Sequence, residues 1–84
     1  MLYPTIHING TSADVLLSQM SAAAAALTKG LRALEAAAPH ARDYYVQGSD
    51  AYQAATREHG ARVAKVAQVI ADLEAIGVHI IRQE

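Results

Sequence analysis

The chain has 84 residues, a net charge of −1 and a 52% hydrophobic composition without Cys, Trp or Phe. That length holds one domain, the missing cysteines exclude disulfides and thiolate metal sites, and the near-balanced charge argues against binding a nucleic-acid phosphate backbone. No run approaches 18 apolar residues, so no membrane span is expected, and the first residues lack the charged start and apolar stretch of a secretory signal.

Alanine supplies 19 of the apolar residues. It buries little area, so the core must come from Leu, Ile, Val and Met. A lone chain this small usually needs a staple, a metal or a partner chain. Self-association into a dimer or higher oligomer is therefore expected.

Residues 1–11 are expected to form an extended arm. Ile6 and Ile8 share one face of it, with Thr5 and His7 on the other. Asn9-Gly10-Thr11 matches a glycosylation sequon but fits better as the turn that ends the arm. Thr11 or Ser12 is placed to cap a helix, with Asp14 answering Thr11 in a capping-box pattern.

The first helix is expected over residues 12–38. Leu17, Met20, Ala24, Leu27, Leu31, Leu34 and Ala38 recur in alternating steps of three and four, a heptad seam. Leu16, Ala23, Gly30 and Ala37 widen that face with mostly small residues, which suit a close neighbouring backbone. Pro39 stops the helix by disfavouring helical geometry at Ala38.

Residues 39–49 form the connection, and a second helix is expected over residues 50–81, with Ser49 or Asp50 as its cap. Its seam is Tyr52, Thr56, His59, Val63, Val66, Ile70, Leu73, Gly77 and Ile80. Ile80 stays in register, so the helix should continue past Gly77. A stop there would instead leave Val78–Ile81 extended beside Ile6–Ile8. Glu58 and Arg62 make a favourable i,i+4 pair. The connection permits only an antiparallel hairpin. The reading is all-α: one domain, residues 1–84, a two-helix hairpin with an N-terminal arm, oligomerising into a helical bundle. Leu17, Met20, Leu27, Leu31, Leu34, Tyr52, His59, Val63, Val66, Ile70 and Leu73 are its expected interface residues.

The Pro39–Asp50 break concentrates the chemistry. Arg42 offers a planar fork for phosphate or carboxylate. Tyr44 and Tyr45 offer flat rings for stacking. Gln47 adds an amide, and Ser49 lies where the free amides of the second helix favour an anion. These five residues are the expected contacts for a nucleotide-like or other small anionic ligand, or for a host protein. The plainer reading pairs Arg42 with Asp43 or Asp50 and makes a tyrosine the plug of the hairpin end.

His59 on the seam reads as a hydrogen-bonded core residue or register pin. Two copies meeting in a dimer, with Glu58, or His40 with Asp43, fall short of the three or four ligands a metal needs, so no metal or other cofactor is expected. Ser49 with His40 and Asp43 lacks the rigid frame of a triad. There is no Gly-x-Ser-x-Gly elbow or phosphate-binding glycine loop, so an enzyme is not expected. Arg57, Arg62 and Lys65, diluted by Glu58, make a solvated face.

The run His7-Ile8-Asn9-Gly10-Thr11-Ser12, then Arg42-Asp43-Tyr44-Tyr45-x-Gln47-Gly48, then Arg57-Glu58-His59 resembles a group of small phage and prophage proteins. The similarity covers most of the chain. It implies an accessory protein in a bacterial cytoplasm, of the kind that forms oligomers and blocks or sequesters a host component. It implies no activity, cofactor or site residue. The secreted WXG hairpins share the helix lengths, but the break here reads Tyr45-Val46-Gln47-Gly48 and has no Trp.

Overall fold

The computed structural model describes residues 1–83. It is an antiparallel pair of long helices, α1 (Ala13–Ala36) and α2 (Ala51–Arg82), with no strand among the described residues. Two short 3-10 turns, Ala41–Asp43 and Tyr45–Gln47, join them. No helix there is long and apolar enough to cross a membrane.

Ser12 caps α1, its hydroxyl accepting from the Val15 N–H at 3.3 Å. The expected capping box does not form. With Ser12 as the cap, the answering position falls on Val15, which has no side-chain acceptor, and Asp14 instead complements the helix dipole in the first turn. The helix ends two residues short of Ala38. Its last turn tightens into i→i+3 bonds, Ala37 N–H to the Leu34 carbonyl at 3.0 Å and Ala38 N–H to the Glu35 carbonyl at 3.2 Å, as the chain swings out for Pro39.

At the start of α2 neither expected cap operates. Asp50 holds the cap position with no side-chain hydrogen bond, and the Ala51 N–H reaches the Gly48 carbonyl at 3.4 Å. Gly48 has φ 121° and ψ 167°, a region open essentially to glycine alone. α2 runs through Gly77 to Arg82 without a break.

Leu17 fixes the register: its Cδ2 lies 3.9 Å from where a β-carbon on Gly77 would stand. Counted by heptad steps from that contact, Met20 comes level with Leu73, Ala24 with Ile70, Leu27 with Val66, Leu31 with Val63 and Leu34 with His59. Those residues are half-buried, with Ile70 buried. The two heptad seams face one another there. Beyond Leu34 they part, because α1 has ended. Ala38, Tyr52 and Thr56 are exposed, and α2 buries Ala55 instead, where the second 3-10 turn packs on it.

At the open end the arm folds back onto α2. The Gln83 side chain clamps it from both sides: Oε1 accepts from the Ile6 N–H and Nε2 donates to the Pro4 carbonyl, each at 2.8 Å. Tyr3 stacks on His79 with ring centres 4.4 Å apart. Ile80 is fully enclosed at this end. The arm thus docks on a helix, not on a strand. Ile6 is half-buried, but Ile8 is 98% exposed. The chain turns at His7–Gly10, with the Gly10 N–H on the His7 carbonyl at 3.1 Å, and so breaks the alternation expected of the two isoleucines.

The buried apolar set is thin: Ala13, Ala55, Ile70 and Ile80. The radius of gyration is 18.5 Å, against about 12 Å for a compact domain of this length.

Candidate functional site

The Pro39–Asp50 break caps the closed end of the hairpin. His40 opens its first turn, Nδ1 accepting from the Arg42 N–H at 3.3 Å. That bond fixes the Arg42 backbone and leaves its guanidinium exposed. Among the described residues Arg42 forms no ion pair with Asp43 or Asp50; the ion pair found there, Arg62 with Glu58 at 3.9 Å, is on α2 and exposed. The expected Arg–Asp pairing does not form.

The two tyrosines part company. Tyr44, at the junction of the turns, is half-buried, and Tyr45 is 72% exposed beside Val46 at 76%. Gln47 and Ser49 are exposed. The break therefore gathers Arg42, Tyr44, Tyr45, Gln47 and Ser49 on one short tip, with one ring anchoring and the other free. What it presents to solvent is a cation, Arg42, and the aromatic ring of Tyr45.

The concave feature lies at the other end. A groove of about 300 Å³ opens between α1 and α2, floored by Leu17, Met20, Ala24, Leu73 and Gly77 and edged by Ser21, Glu74, Val78 and Ile81. Gly77 leaves room for it, and α1 supplies only short side chains at Ser21 and Ala24. The seam pattern contained Leu17, Met20 and Leu73. The edge residues Glu74, Val78 and Ile81 lie one step off that pattern, so heptad counting passes them over. The arm contacts of Tyr3, His79 and Gln83 were equally hidden, since they join the two ends of the chain.

His59 is not the hydrogen-bonded pin expected of it. Its Nε2 is buried with no hydrogen-bond partner among the described residues. The register explains why: the facing turn of α1 offers Leu31 and Leu34, which have no polar atom to share. Thr56, the other polar seam residue, satisfies itself by donating to the Tyr52 carbonyl at 2.9 Å. No group of three or more His, Asp or Glu able to hold a metal occurs among the described residues. Comparison with protein-family models, with curated proteins and with solved structures gives no match.

Proposed function

We propose that the chain is a non-enzymatic accessory protein of phage type that acts in a bacterial cytoplasm as a helical oligomer and captures a host component. Contact is made through the hairpin tip, by Arg42, Tyr44, Tyr45, Gln47 and Ser49. The observation that carries this reading is the exposure of Tyr45 and Val46 beside an Arg42 that has no acidic partner among the described residues. Exposed aromatic and arginine side chains on a held loop are the groups that dominate protein contacts. The exposure of these side chains favours a host protein over a small anionic ligand, because a small ligand needs walls to bury it.

A structural role, in which assembly itself is the activity as in a virion or scaffold component, is favoured by a different observation: among the described residues the lone chain buries only four apolar side chains. The two readings separate by mutation. Under capture, the double variant Arg42→Ala, Tyr45→Ala keeps the wild-type mass and melting temperature and loses a host protein recovered by the wild type. Unchanged recovery, or a fall in melting temperature that tracks the loss, contradicts a binding role for the tip.

A further inference from the structure

We propose that a second copy of this chain packs antiparallel against the groove side of the hairpin, α2 on α2, and seats its Tyr52 in the groove at the open end. Self-association, already part of the proposed function, is the premise; the face, the direction and the inserted residue are new.

The area requires a partner. The chain exposes 6129 Å², whereas a folded monomer of 8.9 kDa exposes about 4,800 Å². The excess exceeds the roughly 800 Å² that each partner contributes to a stable interface.

The composition of α2 selects the face. Helical spacing puts Thr56, Gly60, Ala67, Glu74 and Val78 on the flank that continues the groove toward the loop. From Thr56 to Ile81, Glu74 is its one charged residue, and Arg62, Lys65 and Asp72 fall elsewhere. Gly60 lies on this flank, and a β-carbon there would meet nothing within 4 Å among the described residues, so a second helix can approach the backbone closely at that point.

Symmetry selects the direction. An isologous pair repeats each contact. With the two-fold axis at the middle of α2, near Ala67, Tyr52 of one copy comes level with Ile81 of the other. Tyr52 is 38% exposed because α1 has ended before reaching it, and it lies on the same side of α2 as the groove. One phenol ring fits a groove of about 300 Å³. Ser21 and Glu74 on its edge can accept the hydroxyl proton. A parallel pair would lay groove upon groove and leave both unfilled.

Engineered disulfides test this directly, because the chain has no cysteine of its own. Positions 56 and 78 lie about 33 Å apart along one α2, so Thr56→Cys with Val78→Cys can bridge only between copies. Mild oxidation of the double variant should yield a closed covalent dimer, and Thr56→Cys alone should cross-link at least tenfold more slowly. Equal cross-linking by the single variant, a ladder of higher species, or no cross-link in a protein that still sediments as a dimer overturns the proposed face or direction. A wild type that sediments as a monomer overturns the oligomeric premise as well, so the two failures are distinguishable. Gly60→Leu guards against a misfolded double variant. It should remain helical by circular dichroism and dimerise at least 100-fold more weakly, while Gly30→Leu, equally open within the chain but on the far side of α1, should dimerise as the wild type does. Equal dimerisation by Gly60→Leu contradicts the proposal.

Discussion

Single residues here depart from pattern where local chemistry has no answer in the facing helix. His59 occupies a seam position by count, yet its buried Nε2 has no partner among the described residues. An unpaired buried polar atom costs about 1–3 kcal/mol, so His59→Leu should stabilise the protein. A gain near 1 kcal/mol would raise the melting temperature by roughly 4–8 °C in a chain of this size; a fall would show that the imidazole is satisfied in solution. Gly48 is the opposite case, required by its φ of 121°. Gly48→Ala should cost about 1–3 kcal/mol, measurable by urea unfolding, and no loss would mean that the loop relaxes freely. The sequence named His59 for its seam position. It could not show that Leu31 and Leu34 would leave His59 unpaired, because that depends on the register of two helices.

At the scale of elements, the hairpin and its seams were legible because a heptad pattern is a property of the chain itself. The two helices pack as a hairpin, with Leu17 close to Gly77. The ends were less legible. Pro39 marked the stop of α1, but the last turn tightened and ended it early, which exposed Tyr52 and Thr56. The arm depended on Gln83, a residue with no pattern to mark it, whose amide pairs with backbone as a strand neighbour would. Gln83→Ala should remove both clamp bonds. The expected result is faster exchange of the Ile6 amide and faster proteolysis before Gly10, with α2 otherwise intact. Unchanged Ile6 exchange would mean that the Tyr3–His79 stack and the packing at Ile80 hold the arm alone.

At the scale of the molecule, the same fact recurs from three directions: a thin buried set, an extended shape and an open groove between the helices. Alanine-rich helices give up little apolar area, so a single hairpin has a thin core. Composition announced that shortage. It could not show where the groove lies, since that depends on Leu17 coming level with Gly77 across two helices. The tip and the groove sit at opposite ends of the hairpin. An antiparallel pair would bury the grooves and leave Arg42 and Tyr45 free at each end for a host partner. Leu27→Asp or Val66→Asp, each a charge placed in the seam, should both dissociate and unfold such an assembly; a folded variant of unchanged mass would place the seam outside the core.

Sedimentation equilibrium of the wild type, run from low to high micromolar concentration, tests self-association most directly. The account predicts a folded species of about twice the 8.9 kDa chain mass, with a melting temperature that rises with concentration. A stably folded 8.9 kDa monomer with a concentration-independent melting temperature would contradict it.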